Sequence, residues 1–216
     1  MELKDKKVSF LGDSITEGWG TSDYFYRYDN VLMRRAELEK IYNYGIGGTC
    51  FAYHSGSRPS DDPKFDLYFC GRALVMNPDT DLIVVFGGTN DYGHGKDPFG
   101  EGEGESHIDT FTGAVNYVMK AVRGVYPGVP CVFMTPMKRF CGGLKNTAGR
   151  TLEDYADYIV KAGKKNNIPV LDLYHELGID PDIKEDFEKY TIDGLHPNDA
   201  GHAVIAEKLY EFLVTL

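Results

Sequence analysis

Five short apolar runs, at residues 8–11, 41–43, 82–86, 131–134 and 170–173, constrain this chain more than any other feature. Runs such as LIVVF and VSFL are continuous rather than alternating, the pattern of strands buried on both faces. Segments of helical period lie between and after them, at roughly residues 25–40, 65–76, 110–126, 151–167 and 199–213. The last starts at HPND and sets Ala203, Ile205, Ala206, Leu209 and Phe212 on or near one stripe. Strands alternating with helices predict an α/β fold whose parallel sheet is covered on both faces. Such a sheet gathers its ligands at the carboxyl ends of its strands, so chemistry is sought there.

The chain has 216 residues, enough to bury a sizeable core, and shows no internal repeat and no linker, so one domain over 1–216 is expected. A hydrophobic fraction of 42% separates it from disordered chains. The formal net charge of -10 excludes a basic footprint and argues against a nucleic-acid partner. The opening MELKDKKVSF has no apolar signal core, and no stretch approaches the ~20 apolar residues of a membrane span. Cys50, Cys70, Cys131 and Cys141 show no metal-ligand spacing and read as free thiols. A cytoplasmic protein away from membranes, with a homo-oligomer still open, is the expectation. Residues 94–107, HGKDPFGEGEGESH, read as a long acidic loop that could form a lid.

Four short motifs follow predicted strands or precede the last helix. Gly12-Asp13-Ser14-Ile15-Thr16 puts a serine hydroxyl where a strand turns towards a helix; equally, Asp13 or Ser14 could simply cap that helix. The glycines of Asn43-Tyr44-Gly45-Ile46-Gly47-Gly48-Thr49 allow close backbone approach, or merely a tight turn. Neither nucleotide-binding glycine motif is present. Phe86-Gly87-Gly88-Thr89-Asn90-Asp91 offers the amide of Asn90 as a donor and Asp91 as an orienting group, or an Asx turn. In Asp193-Gly194-Leu195-His196-Pro197 a carboxylate can hold the imidazole Nδ1–H and leave Nε2 free as a base. We expect the aspartate three residues ahead to single out His196 from His54, His94, His107, His175 and His202. Together the motifs supply a nucleophile, a base and oxyanion donors, although each has an ordinary structural use.

GDSIT, NYGIGGT, GGTND and DGLHP stand in the order and approximate spacing of the four blocks of the SGNH, or GDSL-type, hydrolases, which this chain resembles from residue 10 to residue 200. The resemblance implies a flavodoxin-like three-layer α/β/α sandwich with a five-stranded parallel sheet ordered 2-1-3-4-5. It implies a serine esterase without metal or organic cofactor. The family's named residues fall on Ser14, Gly48, Asn90 and His196, with Asp193 as acid partner. The catalytic set is then Ser14, Asp193 and His196, and the oxyanion hole is Ser14, Gly48 and Asn90. Gly48 is chosen over Gly47 because it directly precedes Thr49. Asp13, Trp19, Tyr92 and His94 are expected near the substrate, and Arg58 and Arg72 are candidate anchors for a charged one. The expected substrate is a small-molecule ester with a short acyl group, such as an acetylated carbohydrate. Long-chain lysophospholipase or thioesterase activity is the alternative, and a non-catalytic carbohydrate-binding protein a third.

Overall fold

The computed structural model describes residues 1–53, 62, 67–94, 98–101 and 107–216. Five strands, β1 Lys7–Gly12, β2 Lys40–Gly45, β3 Leu82–Phe86, β4 Cys131–Met134 and β5 Val170–Leu171, pair in parallel in the order β2-β1-β3-β4-β5. Nine helices among the described residues surround them. Four are long: α2 Tyr28–Arg35, α5 Phe111–Val125, α6 Leu152–Asn166 and α9 Asp199–Thr215. Five are short: α1 Ser14–Glu17, α3 Phe69–Arg72, α4 Thr89–His94, α7 Leu173–Glu176 and α8 Lys184–Tyr190.

The continuous burial of β3 splits by side-chain alternation into two cores. On one face Phe10, Val84 and Val132 pack with Leu32 of α2 and Ile205, Leu209 and Leu213 of α9. On the other, Leu11, Ile83, Val85 and Phe133 pack with Val115, Val118 and Met119 of α5 and Tyr155 and Ile159 of α6. No helix among the described residues is long and apolar enough to cross a membrane. None of the four cysteines forms a disulfide among the described residues, and only Cys141 is exposed.

The predicted helix at 25–40 is shorter than its pattern. Asp23 caps a 3-10 turn at Tyr24–Tyr26, Arg27 is extended, and α2 begins only at Tyr28. It stops at Arg35 because Glu37 is left-handed, with φ 51°, and the Glu39 N–H donates to Lys6 O, drawing the chain into the sheet. The helix predicted at 65–76 reduces to α3, and residues 65–66 lie outside the described residues. β5 ends at Leu171 rather than 173 because the carboxylate of Asp172 caps α7. Helices α5 and α6 begin after Thr110 and Thr151, whose hydroxyls cap them.

Strands β2, β1 and β3 finish level. Gly12 pairs with Gly45 on one side and Phe86 on the other, so the segments leaving β1, β2 and β3 emerge together. Beneath them lies Arg72, a fully buried guanidinium. Its Nη1 donates to the carbonyls of Gly12 (2.9 Å) and Tyr44, and its Nη2 to the Thr49 hydroxyl (2.6 Å). Arg72 is therefore a clamp on the strand ends and not an anchor for substrate. Replacing Arg72 with Met would leave buried acceptors unsatisfied. Denaturant unfolding should show a loss on the order of 3 kcal/mol, since each orphaned group costs roughly 1–3 kcal/mol.

Candidate active site

Asp13 caps α1 through a 3.0 Å bond from the Ile15 N–H, which sets Ser14 as the first residue of that helix, directly after β1. Ser14 Oγ lies 3.0 Å from His196 Nε2. The other ring nitrogen, Nδ1, lies 2.7 Å from Asp193 Oδ2. Asp193 Oδ1 also accepts the backbone N–H groups of His196 (2.7 Å) and Leu195 (2.9 Å). Burial pushes the Asp193 carboxyl upward, but these hydrogen bonds with His196 and Leu195 outweigh it and hold the group below its ordinary range. The turn itself is fixed by a 2.8 Å bond from the Phe140 N–H to Gly194 O and one of 3.0 Å from the Ile192 N–H to His196 O.

An aspartate three residues ahead does not single out His196. His94 follows Asp91, His175 follows Asp172, and His202 follows Asp199 at the same spacing. Their surroundings differ. Asp91 accepts the N–H groups of Phe51 and Ala52, and Asp199 holds Ser22. Asp172 does pair with His175 at 2.8 Å, but that ring turns its Nε2 to Glu153. His54 lies outside the described residues.

The glycine turn after β2 stands over the serine. Gly47 donates its N–H to Glu17 Oε2 at 2.7 Å, and a Cβ on Gly47 would sit 3.6 Å from Ser14 Cβ. Gly48 is exposed, has φ +74°, and a Cβ there would meet nothing within 4 Å. Asn90 is buried, and one of its amide hydrogens bonds Thr49 O at 2.9 Å. A primary amide has a second hydrogen to donate.

Of the four residues expected near substrate, Trp19 is exposed and packs against His196, with ring centroids 5.7 Å apart and planes 36° apart. Asp13 is buried under the site as a helix cap. Tyr92 is also buried, its hydroxyl within hydrogen-bonding distance of the carbonyls of Cys141 (3.0 Å) and Leu144 (2.9 Å). His94 Nδ1 lies 3.6 Å from Cys50 Sγ. Arg58 lies outside the described residues, as does most of the stretch expected to form a lid. Sequence reasoning missed Glu17, although its place three residues after Ser14 on one helix would have brought it to the same face.

The GDSL-like lipase/acylhydrolase family matches residues 10–204. The chain belongs to that family. It is accordingly an ester-bond hydrolase with the family's five-stranded α/β fold. A comparison with curated proteins gives no match. Among solved structures, this GDSL-family hydrolase is similar to a protein from Lactobacillus plantarum, with 30% identity, TM-score 0.85, and 99% of this chain and 98% of that chain covered. A possible lipase from Chitinophaga pinensis is 22% identical, with TM-score 0.71 and 97% and 98% covered. A salicylyl-acyltransferase from a tetracycline biosynthetic pathway is 21% identical, with TM-score 0.67; it shares the fold over 98% of this chain and 55% of its own length.

Two buried titratable groups lie in or near the site. Burial raises Asp13 from 3.8 to about 7, against the Ile15 N–H and the Arg72 charge. Burial lowers His202 from 6.5 to about 4; its Nδ1 accepts the Tyr28 N–H at 3.2 Å. Between pH 4 and 6.5 the folded chain keeps a proton on Asp13 that the unfolded chain has released, so this group makes stability fall as pH rises. His202 is protonated only in the unfolded chain over that window, so its contribution rises with pH. Thermal melts should show the two opposing slopes separately. Relative to wild type, Tm of Asp13→Asn climbs with pH across the window, and Tm of His202→Gln declines.

Proposed function

We propose that this hydrolase removes short acyl groups, acetyl above all, from carbohydrate hydroxyls through an acyl-enzyme on Ser14. The observation that carries this reading is the unbroken series from Asp193 through His196 to Ser14, at 2.7 and 3.0 Å. His196 Nε2 takes the Ser14 proton as Oγ attacks the ester carbonyl. Asp193 keeps the other ring proton on Nδ1 and stabilises the imidazolium that forms. The N–H groups of Ser14 and Gly48 and the second amide hydrogen of Asn90 receive the oxyanion. Collapse of the tetrahedral intermediate expels the alcohol, which takes its proton from His196. Water then repeats the sequence on the acyl-serine and releases the acid.

The commitment of the Gly47 N–H to Glu17 supports Gly48 as the backbone donor. The chain has no long apolar stretch that would suit a lipid tail, so long-chain lysophospholipid and thioester substrates are second choices. The non-catalytic reading has the weakest support, since nucleophile, base and acid stand at hydrogen-bonding distance.

Hydrolysis of p-nitrophenyl esters from acetate to decanoate tests the reading. Rates should be greatest for the shortest chains and vanish in Ser14→Ala. Asn90→Ala should lower kcat by roughly 10²–10³-fold, the cost of one oxyanion donor. A maximum at octanoate or beyond would transfer the assignment to long acyl chains. A wild type inert on the whole series would leave only binding.

A further inference from the structure

The mechanism gives the site a direction, and one cavity lies along it. Because His196 must hand a proton to the departing oxygen, the alcohol half of the ester leaves on the side of that ring. Trp19 covers His196 there, yet 56% of the tryptophan remains exposed. Trp19 also lines a cavity of about 530 Å³ together with Glu17, Thr21, Ser22, Asp23 and Tyr24.

The loop around this cavity is held in shape from behind. Ser22 donates its N–H and hydroxyl to the two oxygens of Asp199, at 2.8 and 2.6 Å. Thr21 Oγ1 donates to Gly18 O at 2.7 Å. Gly20 lies so close to the His196 turn that a Cβ would fall 2.1 Å from Pro197 O. The loop is therefore packed directly against the turn that carries the base. Two acceptors in its lining have no hydrogen-bond partner among the described residues, Glu17 Oε1 and Asp23 Oδ2; the other oxygen of each is taken by the N–H of Gly47 and of Phe25.

An open indole face beside unpartnered carboxylate oxygens suits a ring with apolar C–H faces and hydroxyl donors at its edge. The carboxylates would also attract a quaternary ammonium group, but such a group has no N–H to give them. Tyr24 already carries the Arg27 guanidinium 5.2 Å from its ring centre, and Arg27 is itself locked on Asp29 at 2.6 and 2.8 Å. A cation would find one aromatic face rather than a cage. Resting on the Ser14–His196 reading above, we propose that the cavity bounded by Trp19 and Tyr24 is the leaving-alcohol subsite and takes a neutral saccharide ring.

Trp19 is the only tryptophan in the chain, so tryptophan emission reports on this cavity alone. Ser14→Ala protein, which cannot turn over, should show a saturable change in emission with methyl β-xyloside or cellobiose and none with choline. Asp23→Asn keeps the oxygen that accepts the Phe25 N–H and should weaken that binding by about tenfold, as expected for one charge-assisted hydrogen bond. In turnover, acetylated methyl xyloside and ethyl acetate form the same acetyl-enzyme. The ratio of their kcat/KM values therefore isolates the alcohol, and it should fall about tenfold or more in Trp19→Ala. Emission unmoved by saccharide, an equal response to choline, or an unaltered kcat/KM ratio would each overturn the assignment. A saccharide response from a wild type that hydrolyses no ester would keep the subsite and remove the esterase reading instead.

Discussion

The guanidinium of Arg72 sits where three parts of the candidate active site have to agree. Its hydrogen bonds reach the last residue of β1, the end of β2 and the threonine that closes the glycine turn. A cation in that position costs desolvation energy, and burying it is tolerable only because carbonyl and hydroxyl oxygens converge on it. Its charge also opposes the protonation of Asp13, the cap on which the orientation of Ser14 depends. Remove it, and the floor of the site has no common fastening.

Above that floor, the site is assembled by backbone groups with little freedom left. Glu17 takes the Gly47 N–H, Asn90 reaches Thr49 O, and Asp91 gathers the N–H groups of Phe51 and Ala52. Each bond joins a segment leaving one strand to a segment leaving another. Such cross-links fix in position the donors proposed for the oxyanion, and electrostatic stabilisation needs donors set before substrate arrives. Glycine at 45 is required by the same closeness, and a side chain at 47 would displace the Glu17 carboxylate. A Cβ at Gly45 would fall 2.2 Å from the Glu17 backbone nitrogen, and one at Gly47 would fall 2.8 Å from the Glu17 carboxylate.

The histidines show how far a local pattern reaches. Four of the six follow an aspartate by three residues: His94, His175, His196 and His202. Two of these rings lie within 2.8 Å of that aspartate's carboxylate, His175 and His196, and only His196 turns its free nitrogen to a serine. His202 has the same spacing and is instead buried against Tyr28, where burial favours its neutral form. The pair that faces Ser14 is chosen by the return of the chain from α8 to α9, not by the spacing.

The sequence by itself pointed to the sheet, because short uninterrupted apolar runs that alternate with segments of helical period read as the strands of a covered parallel sheet. It also pointed to the segments that the fold gathers at one end of the sheet, since serine, glycine, asparagine and histidine recur where strands end or the last helix begins. Helix extents were less legible: the apolar period through residues 25–40 continues past the point where a left-handed Glu37 and the edge of β1 stop the helix. Tertiary structure alone decided the uses of Arg72, Tyr92 and Glu17. A buried arginine or tyrosine reads in sequence like a surface one, and its hydrogen-bond acceptors lie tens of residues away. Partners that far apart are set by packing, and packing is a property of the whole chain.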